Sequence, residues 1–439
     1  GDSKEETTAN VRVKVIEDLS DLKQMDVVVI GVKNYSLESV ARLIKDNTKD
    51  DVIIVSMANG IDNQSILPKY FSRVIYCIVS YNAWMDKPVV VGYQKRGPLV
   101  LGTPDNSLQT EMNAVAEIFG RGVETVVTDH LQDAAHSKIV VNLTIPRAHI
   151  EVGLRALDAG KHVYAEKPLG IDFEEGKKLI AAAADKGLRV GSAPDTFLGG
   201  GNQQSRAVVD SGALGQVVGG TAFFACPGHE YWHPDPAFYY DVGGGPVLDM
   251  GPYYVTALVN LLGPVKRVSG MSATPFSERP IRSEPKRGQT MPVRVATHVT
   301  GTLIFASGAL VQITLSFDVP KHAHVPIQLF GTEASLQVPD PNHFGGEVKL
   351  AKPRAEAWDQ VPVTLPYADA NYRSLGLADM AHAIVHDRPH RCSGDLALHV
   401  LEAMEALDVA SREERIVDLS TTVARPAPLA DSLRDGKLG

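Results

Sequence analysis

Cysteine is nearly absent from this chain: Cys77, Cys226 and Cys392 are the only three in 439 residues. They stand too far apart for a disulfide framework or a cysteine-ligated metal, and are expected as buried thiols in a reducing cytoplasm. Long apolar runs are missing too. None reaches the length of a bilayer span, and no signal-like segment opens the chain, so a membrane partner is not expected. Positive charge is in deficit, 43 Lys and Arg against 52 Asp and Glu, and the resulting −9 argues against nucleic acid as a partner. No G-x-G-x-x-G turn occurs anywhere. The two glycine runs, Gly199-Gly200-Gly201 and Gly243-Gly244-Gly245, do not follow strands and so do not read as phosphate loops.

What is present is an ordinary globular composition, over a length that suggests two or three domains. Residues 1–10 are polar and expected to be disordered. From residue 11 to about 128, strands and helices alternate. The β-branched runs 27–31, 52–56 and 74–79 read as strands buried on both faces of a parallel sheet, and 37–44 and 108–119 have helical spacing. Residues 89–93 and 99–102, with Lys95-Arg96-Gly97 between, read as a hairpin. Further on, Thr144 is the expected N-cap of a helix over 146–159 that stops at Gly160. A strand at 163–165, a helix at 173–186 and a strand at 188–191 follow. After Pro194 antiparallel strands dominate, at 219–225, 297–305, 309–317, 325–330 and 335–338. Two closing helices, 374–386 and 395–413, are expected to return to the first domain, before a tail that is a loop from Pro426.

Two motifs carry chemistry. Tyr164-Ala165-Glu166-Lys167-Pro168 ends an apolar strand with a lysine, at the carboxyl edge of the sheet, where open α/β sheets bind ligands. Gly243 to Tyr254 leads into a helix, expected over 247–262, on which Asp249 and Tyr253 share a face at i, i+4. An ammonium, a carboxylate and a phenol are the groups that move a proton while a hydride leaves a carbinol carbon. Each also has a plainer reading: a surface lysine in a strand–helix loop, a helix-capping aspartate and a packed tyrosine. His229, Glu230, Trp232 and His233 precede the glycine run in an aromatic, proline-rich loop that could line a sugar pocket. Their spacing fits no metal signature.

From about Leu143 to about Leu419 these motifs resemble the Gfo/Idh/MocA (glucose–fructose oxidoreductase/inositol dehydrogenase) family. The resemblance implies that Lys167 orients and polarises a secondary hydroxyl, Tyr253 exchanges its proton and Asp249 tunes the pair. It also places Thr144, Pro146, His149 and Glu166 at a nicotinamide cofactor, NAD or NADP; His229, Trp232, His233 and Tyr254 are the candidate substrate contacts. Most members carry histidine where Tyr253 stands. The preceding stretch, through Val32-Lys33-Asn34, Ala58-Asn59-Gly60-Ile61-Asp62 and His136-Ser137-Lys138 to Asn142, resembles the nucleotide domain of ketopantoate reductases. That resemblance puts Lys33 and Asn59 at cofactor or substrate, Lys138 as catalytic acid and Asn142 on substrate. Both families have a glycine-rich turn that this sequence lacks.

The expected architecture is α/β plus α+β. Incomplete Rossmann-like parallel segments (1–142 and 143–196) precede a mostly antiparallel open-sheet substrate domain (197–420) and a tail (421–439). At the join, residues 130–142 are one helix in the ketopantoate reading and end in a strand in the other. The β-branched Ile139, Val140, Val141 and Thr144 favour helix to about Ser137, then strand at 140–143, which leaves Lys138 outside the pocket. Three functions stay open. They are an NAD(P)-dependent oxidoreductase on a sugar, polyol or similar small molecule, a ketopantoate reductase-like enzyme, and an inactive chimaera that binds no dinucleotide. A homo-oligomer is compatible with the family.

Overall fold

The computed structural model describes residues 19–32, 34–57, 63–79, 82–87, 90–94, 99–120, 125–127 and 137–429. Residues 1–10, Lys33, Asn59 and the helix expected up to Ser137 fall outside or almost wholly outside these. The chain divides into two compact units, Gly1–Ser137 and Lys138–Gly439.

The first unit is a five-stranded sheet in the order Val27–Ile30, Ile53–Ser56, Val74–Val79, Leu99–Gly102, Thr125–Val127. The first three strands run parallel, and Leu99–Gly102 joins antiparallel to Val74–Val79. Alternate side chains fill opposite faces: Ile54, Val74 and Tyr76 pack with the Asn34–Asn47 helix, and Ile53, Val55, Ile75 and Cys77 with the Gln109–Gly120 helix. Two covered faces explain the unbroken apolar runs. The expected hairpin is corrected, because Val90–Gln94 pairs with Asn82–Lys87, while Leu99–Gly102 enters the main sheet. Both segments have strand composition, and local pattern does not name the partner.

In the second unit three parallel strands, Ile139–Asn142, His162–Ala165 and Val190–Ser192, form one sheet. The strand through Asn142 excludes a continuous helix over 130–142. Lys138 sits at the amino edge, where its carbonyl accepts from His162 N–H at 2.8 Å, at the opposite end from Lys167. Asn142 is 2 % exposed and so is closed to a substrate, while Lys138 lies away from the carboxyl edge that carries Lys167. Thr144 does not cap the next helix. Its hydroxyl donates to Asn142 Oδ1 at 2.7 Å, and a 3-10 turn, Pro146–Ala148, leads into the helix His149–Asp158. Gly160, at φ +70°, ends that helix as its spacing implied. Asp172 caps Phe173–Asp185 by accepting from Glu175 N–H.

A nine-stranded sheet makes up most of the rest, centred on Val217–Ala225, Leu310–Ser316 and His298–Phe305. Its pairings are antiparallel except one, since Val217–Ala225 runs parallel to Leu310–Ser316. The helix Gly245–Leu262 lies on it with Val255, Leu258 and Val259 fully buried. Each such side chain contributes about 1.5–3 kcal/mol of apolar burial. The helix Gly394–Glu413, capped by Ser393, packs against that helix, the sheet and the three-stranded layer of the same unit. None of the three cysteines is in a disulfide, but Cys226 is only partly buried, unlike Cys77 and Cys392. No described helix is long and apolar enough to cross a membrane.

His399 gives this core a pH dependence. Fully buried, it accepts from Val265 N–H through Nε2 (3.0 Å) and faces Thr421 Oγ1 through Nδ1 (2.8 Å), so a second proton would break the Val265 bond. Burial lowers its pKa below the ordinary 6.5, against the pull of Glu402. The unfolded chain therefore takes up a proton the folded one refuses. Its contribution is fully present above pH ~6.5 and is lost as pH falls below that value. Urea midpoints at pH 7.5 and 5.5 should differ less in His399→Gln than in the parent, and equal differences would refute this assignment.

Candidate active site

The parallel register brings the end of His162–Ala165 to the carboxyl edge, so Lys167 leaves the sheet there. Its ammonium donates to the carbonyl and to Oδ1 of Asp249, both at 2.7 Å, and both side chains are nearly buried, 17 % and 16 % exposed. Burial works against both charges. Asp249 outweighs it for Lys167, which is held above the usual lysine value with help from Tyr253 and Glu166. For Asp249 the hydrogen bond from His229 and the charge of Lys167 prevail, and the carboxyl lies below the usual range.

Tyr253 stands one turn beyond Asp249, as the i, i+4 spacing required. Lys167 Nζ lies over its ring, 5.2 Å from the centroid, and no hydrogen bond joins the ammonium to the phenol. Beside them is a cavity of about 80 Å³, lined among others by Tyr253, Glu166, Tyr164, Asp195 and Arg373. Glu166 Oε2 accepts from Lys167 N–H, which fixes the lysine's backbone. Two polar residues here were given no role from the sequence, although Tyr164 opens the lysine motif. Asp195, 3 % exposed, has a pKa raised by burial against the opposing N–H groups of Gly376 and Ser374. Tyr164 buries a hydroxyl with no partner.

His229, nominated for the substrate, is placed instead on the Asp249 carboxylate, a pairing the sequence did not announce. Its ring, 11 % exposed, meets Asp249 Oδ2 through Nε2 at 3.0 Å, and Trp232 Nε1–H donates to its Nδ1 at 3.2 Å. Twenty residues separate His229 from Asp249, so no local spacing could announce the pair. Trp232 is 61 % exposed and faces His233 and Tyr239. His233 accepts from Asp235 N–H and touches Phe238 at the rim. Glu230 turns away into a buried ion pair with Arg279, which also binds Asp318.

Several nominated residues are placed differently. Tyr254, expected at the substrate, is 2 % exposed in the core beside Phe224, with its hydroxyl toward Asp340. It follows Tyr253 on the helix and so points about 100° away. His149 is 1 % exposed, with Pro168 O on Nδ1 (2.7 Å) and Thr144 O on Nε2 (2.9 Å). With Asn142, which donates to His149 O and accepts from Thr144, it clamps the two loops that flank Lys167 and has no ring nitrogen left for a cofactor. Pro146 opens the 3-10 turn, where a missing N–H costs nothing. Arg147 beside it donates to Val242 O (2.7 Å) and pairs with Asp241, which anchors the segment before the glycine run. Lys33 and Asn59 lie outside the described residues.

The glycine runs serve packing. Gly200, Gly201 and Gly244 donate their N–H groups to Tyr367, Phe344 and Asp241 carbonyls. A Cβ on Gly244 would stand 2.4 Å from Phe238 O and 2.6 Å from Tyr239 O. Gly244→Ala should therefore lower stability by about 1–3 kcal/mol, read as a urea midpoint, and an unchanged midpoint would show that the turn can relax. For a dinucleotide, the fit is one-sided. The carboxyl edge with Glu166, Lys167 and the cavity suits a nicotinamide end, but the amides of Gly200, Gly201 and Gly244 are already bound to carbonyls and are not offered to a pyrophosphate.

Residues 2–106 match the family model "Ketopantoate reductase PanE/ApbA". Residues 106–193 match "Oxidoreductase family, NAD-binding Rossmann fold", and residues 202–337 match "GFO/IDH/MocA C-terminal domain". The chain joins a ketopantoate reductase-like segment to GFO/IDH/MocA segments. The 2-dehydropantoate 2-reductase of Halobacterium salinarum is 27 % identical over 190 residues, 43 % of this chain and 59 % of its own length, so the chain spans less than two thirds of that relative. On the GFO/IDH/MocA side, the 1,5-anhydro-D-fructose reductase of Ensifer adhaerens is 27 % identical over 286 residues, 62 % of this chain and 76 % of its own length. The fold matches levoglucosan dehydrogenase, solved with NADH and levoglucosan, at a TM-score of 0.57 and 20 % identity over 70 % of this chain and 88 % of that one. The GFO/IDH/MocA match begins at residue 106, so it includes the Gln109–Gly120 helix and the Thr125–Val127 strand of the first unit.

Proposed function

We propose that the chain is an NAD(P)-dependent oxidoreductase acting on a secondary hydroxyl of a sugar, polyol or similar small molecule. The observation that carries this is the nearly buried Lys167–Asp249 pair at the carboxyl edge, with Tyr253 on its flank. Two of the three ammonium N–H groups are bound to Asp249. The third can hold a substrate oxygen, where the positive charge stabilises a developing alkoxide. Tyr253 exchanges the hydroxyl proton at its phenol oxygen, and Asp249 keeps Lys167 charged and aimed. A bound nicotinamide cofactor supplies the hydride acceptor or donor. Trp232 and His233 at the rim offer aromatic faces to a sugar ring.

In this reading residues 143–196 form the cofactor-side segment and 197–420 the substrate domain. Cysteines outside any disulfide suit a cytoplasmic location, and homo-oligomers are compatible with the open sheet. The ketopantoate alternative gains nothing from the placement of Lys138 and Asn142. The test is a panel of polyols and aldoses with NAD and NADP at millimolar concentration, run with the parent and Tyr253→Phe. Turnover that falls roughly 10²–10⁴-fold in the variant supports the assignment. Binding of neither dinucleotide would favour the inactive chimaera, and turnover on ketopantoate alone would favour the other family.

A further inference from the structure

The carboxylate of Asp249 is held from two sides, and the second side has no part in the reaction just proposed. Trp232 Nε1–H is a donor only, so the His229 nitrogen it meets must present a lone pair. That leaves the proton on Nε2, which faces Asp249 Oδ2 at 3.0 Å while Lys167 holds Oδ1 at 2.7 Å. Both ring nitrogens are thus committed. The ring is packed between Tyr239, at 4.2 Å between centroids, and Phe317, at 4.5 Å.

We propose that His229 is a positioning residue of the active site, with Trp232 fixing its Nε2–H tautomer so that one carboxylate oxygen of Asp249 is occupied and the other is left to Lys167. A histidine thus reaches the carboxylate from the loop before the glycine run, although the helix carries tyrosine one turn after Asp249. With Oδ2 occupied, the carboxylate cannot rotate toward a substrate proton, and the ammonium keeps one orientation. Because the tautomer is set by a largely exposed indole on the pocket rim, whatever displaces Trp232 also loosens Lys167. The idea rests on the proposed oxidoreductase reading for its catalytic meaning, but its structural content does not need turnover.

The groups facing Asp249 are Lys167 from the strand-end loop, His229 and Cys226 from the loop before the glycines, Tyr239 from the 3-10 turn and Tyr253 from its own helix. Of these only His229 and Lys167 hydrogen-bond to the carboxylate. Loss of the histidine donor should move the Asp249 titration upward, since that bond opposes burial.

The experiment is NMR on the cofactor-free full chain. In ¹⁵N-histidine-labelled protein, His229 should show the Nε2–H pattern at pH 7.5 and become a tautomer mixture in Trp232→Phe. In ¹³C-aspartate-labelled protein, the Asp249 carboxyl should titrate higher in Trp232→Phe and His229→Leu, and stay at the parental position in His229→Gln, whose side-chain amide restores the donor. An Nδ1–H pattern in the parent, or an Asp249 titration unmoved by Trp232→Phe, overturns the proposal. Trp232→Phe alters a largely exposed side chain, so the test survives if His229→Leu fails to fold. With a turning-over substrate, kcat should fall in His229→Leu with little change in KM, and His229→Gln should recover most of it. Absence of any turnover would count against the oxidoreductase reading, while the NMR result still decides the tautomer.

Discussion

Replacing Lys167 with methionine is expected to destabilise the chain by about 3–5 kcal/mol, because it leaves the Asp249 carboxylate nearly buried without its cation. The magnitude reflects the asymmetry of such pairs: forming one gains little over apolar packing, whereas removing one member strands the other charge. Two consequences follow. Asp249→Asn on its own should cost less than Lys167→Met, since the lysine stem can shift its ammonium toward water. The double variant Lys167→Met, Asp249→Asn should recover most of the loss, because no buried ion remains. Urea midpoints of the four proteins form the cycle. A Lys167→Met midpoint equal to the parent, or a double variant no more stable than Lys167→Met, would show that water already screens the pair. Catalysis should not recover with stability in the double variant. Any polyol-dependent turnover should stay lost, which separates the role of Lys167 as an oxygen-holding charge from its role as a structural ion.

A titration with NADH or NADPH, followed by nicotinamide fluorescence, is expected to give an affinity lower by roughly 10²-fold than that of a relative carrying the glycine-rich turn. Backbone amides at such a turn hold the pyrophosphate, the most strongly charged part of the ligand. In the second unit the amides of Gly200, Gly201 and Gly244 are already bound to carbonyls. The nicotinamide end retains Lys167 and Glu166, so the loss should be in affinity and not in the ability to orient the ring. Lys167→Met should weaken binding little further, as its contacts run to Asp249. Saturation of the chain at micromolar dinucleotide, with ordinary turnover on a polyol, would show that another segment supplies the missing seat.

Sequence alone determined a good part of this protein. Strand and helix positions were legible wherever periodicity was strong, as in Val74–Val79, Phe173–Asp185 and Gly394–Glu413. The strand at Ile139–Asn142 could be preferred over a helix because β-branched side chains crowd a helical turn. Lys167, Asp249 and Tyr253 were nominated from two motifs, and the structure brings them together. The reason is that a strand-end lysine and an i, i+4 pair are local geometries, written into neighbouring residues. What only the tertiary structure decided is long-range. The partner of Val90–Gln94 and the single parallel pairing of Val217–Ala225 depend on which edges meet, and edges carry no partner code. Whether Tyr254 faced pocket or core, whether His149 was free, and that His229 completes Asp249 all depended on packing between segments about twenty residues apart or more. A buried polar group takes whatever donor or acceptor the fold brings within 3 Å, and that choice is made in space, not along the chain.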